Sequence, residues 1–515
     1  MKNYFAKQQV ALLMLLLCVF ILHVNAQSKF DKTNAELAKI KSLKAKVEAN
    51  PADLKAHEAF IWAFNPDNPS ILDQYQSWMK KYPKEYAIPF AIGEALVNRE
   101  NPHATPFLLQ ASVLKPNAAE VWNLLANDAI LRNKVNDRKK YLEKAVFYAP
   151  KNPDYVFNYA YSFKDTDPEK YDSLSLDIAR KFPDSEVGVK ALSLLALNTS
   201  IPEEKMAYYK QIFTRKANHK SDWYVGAMEY YSDLLLKTNP GQAFELGTAI
   251  ILDNNLFIDL WHERLVVADA FLKSRMLLNQ GKPIEALTIL NSVKLKNELL
   301  GRRIDAEEYL TTFKAEALDS AKLYKAAFDT LAVSYSNIPT ETLQPLVYSY
   351  GRKLGMDSLA VSRNIAKTRG GFAKQAKDFS LKNYLDTAKT SLSDYKGKVV
   401  LLTYWFPGCG PCRGEFPHFE AVLKKFSKDN VAYLGLNVEP MQDDAVLPFL
   451  KESGYSFTPL HDSLARNKGN LNTEGQPTNY LIDQKGRIIF SNFRIDAENE
   501  RTLELMIKET LAAKY

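Results

Sequence analysis

One stretch constrains the fold more than any other: Tyr404-Trp405-Phe406-Pro407-Gly408-Cys409-Gly410-Pro411-Cys412-Arg413-Gly414-Glu415-Phe416-Pro417. Before it lies the apolar run Val399-Val400-Leu401-Leu402-Thr403-Tyr404, which reads as a buried strand. After Cys412, the residues Phe416, Phe419, Val422, Leu423 and Phe426 fall on one face at helical spacing. The two cysteines therefore sit where a strand ends and a helix begins. That position favours a thiolate, because the free N–H groups and positive dipole end of a helix stabilise negative charge on sulfur.

The cysteine count sharpens the reading. Lys2 and Lys7 precede the unbroken apolar run Val10 to Leu22, and Val24-Asn25-Ala26 supplies small residues before Gln27. This is the pattern of a secretory signal peptide, with cleavage expected after Ala26; the alternative is an uncleaved membrane anchor. Cys18 leaves with that segment, so Cys409 and Cys412 are the two cysteines of the mature chain. A disulfide framework is excluded, and a vicinal pair in an exported protein reads as redox-active. A zinc site would need two further ligands at suitable spacing, and the seven histidines are scattered. No metal is expected. The net charge of +7 is spread without runs of like charge, which argues against nucleic acid as a partner.

Trp405, the Cys409-Gly410-Pro411-Cys412 motif and Pro417 resemble the active-site stretch of thioredoxins. Glu474-Gly475-Gln476-Pro477-Thr478, ahead of the apolar Asn479-Tyr480-Leu481-Ile482, resembles that family's cis-proline loop. The fuller context is similar to the TlpA/ResA-like branch. Asp378-Phe379-Ser380-Leu381 and Ser391 to Leu401 look like its N-terminal extension and lead-in strand, and Glu415 matches the carboxylate beside its buried thiol. Two positions depart from the thioredoxin pattern: Gly408 stands where an aromatic residue is common, and Thr403 where cytosolic thioredoxins carry a buried aspartate.

The resemblance implies a thiol–disulfide oxidoreductase with no cofactor beyond a Cys409–Cys412 redox disulfide. Cys409 would be the exposed nucleophile, Cys412 the resolving thiol and Glu415 its base; the alternative for Glu415 is a carboxylate that only complements the helix dipole. Trp405, Gly410, Pro411, Gln476 and Pro477 would form the substrate-binding face. Gly410-Pro411 resembles the dipeptide of reducing thioredoxins and favours a reductase of protein disulfides. A reductase outside the cytoplasm requires a membrane electron donor. A peroxidase would need threonine three residues before the reactive cysteine, and Phe406 stands there.

Upstream, prolines recur at Pro51, Pro83, Pro116, Pro150 and Pro183, in steps of 32, 33, 34 and 33 within an Ala-, Leu-, Lys- and Tyr-rich sequence. This period and placement resemble degenerate tetratricopeptide-type helical hairpins, which stack into a solenoid because one hairpin cannot bury its apolar face alone. Such a solenoid would position substrate or partner proteins, or serve only as a spacer. The expected chain is multidomain: a signal peptide over 1–26, an all-α helical-repeat region over 27–366, a linker over 367–377 and an α/β thioredoxin-like domain over 378–515. The expected location is the periplasm or cell envelope of a bacterium. The rival reading is a helical scaffold whose thioredoxin-like domain serves mainly protein interaction.

Overall fold

The computed structural model describes residues 33–66, 68–215, 220–253, 258–295, 306–386, 388–462 and 465–513. The expected signal segment and its cleavage point lie outside them. The chain divides into two compact units, one ending at Asp128 and the other beginning at Ala129.

Nineteen helices precede the first strand among the described residues. The proline period is a helical period. Helices start at Leu54, Ala87, Ala119, Pro153 and Glu186, which are 33, 32, 34 and 33 residues apart, and each is followed by a second helix before the next proline. The recurring proline stops one helix, and the residue two places on caps the next. Asp53 accepts from the N–H groups of Lys55 and Ala56, Asn152 from those of Asp154 and Tyr155, and Ser185 from that of Gly188. In the first unit the apolar faces bury Phe60, Tyr75, Trp78, Ile88 and Leu108. In the second, one apolar cluster runs from Phe163 to Ala317 and another from Ala315 to Ile365.

Tyrosines contribute to these cores. Tyr171 and Tyr209 are buried, whereas Tyr230 is exposed.

The C-terminal part is a mixed sheet of eight strands: β1 (Lys374–Gln375), β2 (Ser380–Asn383), β3 (Lys389–Ser391), β4 (Val399–Trp405), β5 (Val431–Asn437), β6 (Thr458–His461), β7 (Thr478–Ile482) and β8 (Arg487–Ser491). Their order is β1-β8-β7-β4-β5-β6-β2-β3. β4 lies in the middle, parallel to β5 and antiparallel to β7. Every residue of β4 is buried, as expected of a strand covered on both faces. One face packs against α1 (Gly410–Leu423) and α3 (Glu500–Ala512), with α2 (Asp443–Ser453) beside them. The other is covered by Phe379, Leu381, Leu392 and Leu471.

The segment 367–377, expected as a linker, is ordered architecture. The helix Ser358–Phe372 runs through Arg369-Gly370-Gly371, and β1 then pairs antiparallel with β8. The reason is Arg369, which is 1% exposed. Its Nε donates to the Ser336 carbonyl at 3.1 Å and its Nη1 to Glu509 Oε2 at 3.2 Å, and its guanidinium lies 5.2 Å from the Phe490 ring centre. A glycine pair reads as flexible in sequence, but a buried cation with partners in both parts of the unit holds the helix in place.

Candidate active site

Strand β4 ends at Trp405, and the turn that follows delivers Cys409 to the N-cap of α1. Proline suits the first helical turn, and Pro411 occupies it. Pro417 lies inside the helix. The turn is held from the side, because the Gly408 N–H donates to Gln442 Oε1 at 2.7 Å.

Cys409 and Cys412 form a disulfide. The Cys412 N–H donates to Cys409 Sγ at 3.2 Å, so a helix-N-terminal donor points at the first sulfur. The expectation of an exposed first sulfur needs correction: Cys409 is only 4% exposed, and Cys412 is fully buried. Both belong to the apolar cluster of Trp405, Phe416 and Phe419. Gly410 and Pro411 are exposed, leaving the backbone of the first helical turn as the accessible rim.

Glu415 lies three residues beyond Cys412, one turn along the same helix face. It is 5% exposed, which excludes the role of a solvated carboxylate at the helix start. Asn479 Nδ2 donates to its Oε2 at 2.9 Å, the Ile495 N–H donates to Oε1 at 3.0 Å, and Arg494 Nη1 stands 3.8 Å from Oε2. Burial pushes its carboxyl above the usual range, and these donors oppose that shift without cancelling it.

The Gln476–Pro477 bond is cis, as the loop's resemblance implied. Pro477 is buried and Gln476 half-buried. The loop is closed by the Thr478 hydroxyl, which donates to the Gly475 carbonyl at 2.6 Å, and by the Tyr404 hydroxyl, which donates to the Leu471 carbonyl at 2.6 Å.

Trp405 does not lie on the accessible face. It is fully buried, with ring centres 5.4 Å from Phe416, 5.2 Å from Phe449 and 4.9 Å from Phe457. Its place as the last residue of a strand covered on both faces makes it core, and the expectation that it binds substrate is not met.

Arg413 carried no expectation. Its guanidinium donates from Nη1 to the Ile130 carbonyl at 2.7 Å and from Nη2 to Asn133 Oδ1 at 2.8 Å. Asn133 has a φ of 53°, a left-handed turn that asparagine tolerates, at the end of helix Ala119–Leu131. Desolvation lowers Arg413 from its ordinary value to about 10, with Tyr455, Arg138, Tyr161 and Asp165 acting as further charged or ionisable neighbours. Lys134 pairs with Glu452 and Lys205 with Glu498, so helical residues also meet the dithiol domain at these two points. The charge of Arg413 inside the motif was the sequence signal for this contact, but nothing in the spacing named its partners.

The two histidines nearest the motif are engaged elsewhere: His418 with Glu500 at 2.8 Å, and His461 with Asp443 at 3.1 Å. No group of three or more metal-ligating side chains occurs among the described residues. No described helix is long and apolar enough to cross a membrane.

Comparisons with known proteins converge on the sheet domain. The AhpC/TSA family matches residues 372–491. The thioredoxin-like protein YneN of Bacillus subtilis (strain 168) is 38% identical over 117 residues, spanning 22% of this chain and 67% of its own length. The thiol-disulfide oxidoreductase ResA of Geobacillus kaustophilus (strain HTA426) is 32% identical over 141 residues, spanning 27% of this chain and 79% of its own. Among solved structures, a thioredoxin-family thiol:disulfide interchange protein from Chlorobium tepidum TLS aligns with 27% of this chain and 97% of its own, at 21% identity and a TM-score of 0.25.

Proposed function

Because this chain belongs, through its C-terminal domain, to the ResA-like thiol–disulfide oxidoreductases of the AhpC/TSA family, we propose that it is an exported reductase of protein disulfides. The observation that carries this reading is the disulfide at the start of α1 with the buried Glu415 one turn on, beside a cis-proline loop. Phe406 in place of threonine disfavours the peroxidase alternative.

In the reduced protein the Cys409 thiolate attacks a substrate disulfide, and the first substrate thiolate leaves as a mixed disulfide forms. Glu415 accepts the proton of Cys412, whose sulfur then attacks Cys409 Sγ. That step breaks the mixed disulfide, releases the second substrate thiolate and restores the Cys409–Cys412 bond. Two electrons pass to the substrate, and the Cys412 proton leaves through Glu415. Return to the dithiol requires a reductant; for an exported protein this is an electron donor at the membrane.

The exposed Gly410-Pro411 rim and the cis-proline loop would meet the substrate chain, with Gln476 and Pro477 offering backbone groups. Arg413, two residues beyond that rim, bonds to Ile130 and Asn133 at a helix end, which supports a role for the tetratricopeptide-like region in positioning the partner. The deciding measurement is the reduction potential of the Cys409–Cys412 pair against glutathione buffers. A value near or below about −220 mV fits a reductase, and one above about −180 mV overturns that direction in favour of oxidase or isomerase work.

A further inference from the structure

The period of the helices brings equivalent residues into contact. Phe157, Lys190 and Trp223 follow one another at steps of 33 residues, on the helices Pro153–Tyr161, Glu186–Asn198 and Asp222–Thr238. Lys190 Nζ lies 4.4 Å from the centre of the Phe157 ring and 5.3 Å from that of Trp223. Two rings attract a cation without neutralising it. Among the described residues no hydrogen bond or ion pair reaches this ammonium. Burial pulls it below its ordinary range, and the carboxylates of Asp154 and Glu186, beyond ion-pair reach, oppose that shift without cancelling it.

One turn further along the same two helices, the register sets Ser193 and Gly226 at another step of 33 residues. Both line an apolar pocket of about 270 Å³, together with Leu197, Tyr209, Trp223 and Tyr230. The Ser193 hydroxyl is satisfied within its own helix, donating to the Val189 carbonyl at 2.9 Å. A Cβ on Gly226 would meet no atom within 4 Å. Glycine inside a helix costs about 1 kcal/mol against alanine, and no close packing requires it here. Its missing side chain is part of the open space. Leu197 and Tyr230 are exposed and Trp223 is half-buried, so the pocket opens to the surface. Its volume falls below the roughly 300–1,000 Å³ of drug-sized sites and suits one large side chain. Asp222 also lies on its rim, but the carboxylates acting on Lys190 are those of Asp154 and Glu186.

The pocket lies toward the redox domain. Tyr209 has Glu498 as a charged neighbour, and Lys205, one turn before it, pairs with Glu498. Glu498 stands three residues after Ile495, whose N–H donates to Glu415.

We propose that this pocket anchors protein substrates by an extended segment that inserts one large apolar side chain beside Trp223 and sets the carboxylate of an adjacent Asp or Glu on Lys190. Buried apolar anchors of this kind carry most of the energy of an interface. The carboxylate belongs to a side chain rather than a chain end, because the substrate must continue from the pocket to Cys409. The choice of a protein segment rests on the reading that this chain reduces protein disulfides.

The test is fluorescence anisotropy with the full oxidised protein and a labelled peptide, Gly-Ser-Glu-Phe-Ser-Gly, uncharged at both ends. Counterparts carry Gln for Glu or Ala for Phe. Saturable binding is expected, about tenfold weaker for each counterpart. Lys190→Gln should erase the preference for Glu over Gln. Gly226→Leu should weaken the Phe peptide about tenfold without lowering Tm, since the added Cβ has room and leucine is the better helix former. If Lys190→Gln does not fold, Gly226→Leu and the Gln peptide carry the test. No saturable binding, equal affinity for the Glu and Gln peptides, or a Gly226→Leu variant that binds as wild type overturns the inference. A wild-type protein that binds the peptide, yet when pre-reduced leaves a disulfide-linked version of it intact, overturns the proposed function instead.

Discussion

The Arg413 guanidinium, on the residue that follows Cys412, donates to the backbone carbonyl of Ile130 at 2.7 Å. The first turn of the redox helix is thereby fastened to a helix end 283 residues earlier. A charged donor on a carbonyl, completed by Asn133 Oδ1, makes this more than a surface contact, since hydrogen bonds to charged groups contribute about 1.5–3 kcal/mol.

Replacing Arg413 by alanine should loosen the turn at 130–134. Faster amide exchange there and faster iodoacetamide alkylation of the reduced Cys409 are the expected outcomes. Arg413→Lys should rescue only part of the effect, because an ammonium cannot span both acceptors as the guanidinium does. Unchanged exchange at 130–134 in Arg413→Ala would show that the contact does not hold the turn.

Cys412→Ser should trap substrates. With the resolving sulfur gone, the mixed disulfide on Cys409 persists and is seen as higher-mass species on non-reducing gels, which dithiothreitol disperses. Partners that co-purify but are not released by reductant would instead support the scaffold reading.

Glu415→Gln should stabilise the protein more at high pH than at low. A carboxyl raised above its ordinary value binds its proton more tightly folded than unfolded, so its ionisation penalises the folded state as pH climbs through the raised value. The amide bears no charge and escapes this penalty. Thermal melts of the oxidised protein at pH 5 and pH 8 should show the gain from Glu415→Gln growing with pH; a gain that shrinks would mean the donors outweigh burial.

Trp405→Ala should cost about 3–5 kcal/mol of stability in urea unfolding, the scale of removing a large aromatic from a close-packed core. The ring fills the space among Phe416, Phe449 and Phe457, and Gly435 on β5 has no room for a side chain: a Cβ there would come within 2.9 Å of Trp405 Nε1.

The parts of the fold legible in the sequence were those set by local chemistry. The proline period marked where helices stop, and β4 and α1 were readable from an apolar run followed by helical spacing. The Cys409–Cys412 pair and the cis bond before Pro477 were readable because they are confined to short motifs. What escaped was set by contacts distant in sequence. Trp405 became core because β5 and α2 close over it, and Arg369-Gly370-Gly371 stayed helical because Ser336 and Glu509 receive the arginine. Asn479 was read as one residue of an apolar strand, and its hydrogen bond to Glu415 appears only in the fold.

The helix Ser358–Phe372 is a party wall. Its Val361 and Ile365 help to fill the apolar cluster of the preceding helices, while Arg369, one turn on from Ile365, reaches Glu509 of the redox domain's closing helix. Severing the chain at Gly370-Gly371 would strip Glu509 of its cation and leave the Phe490 ring bare. The redox domain of this protein is thus a room in a terrace rather than a detached house, and its outermost masonry is inherited from its neighbour.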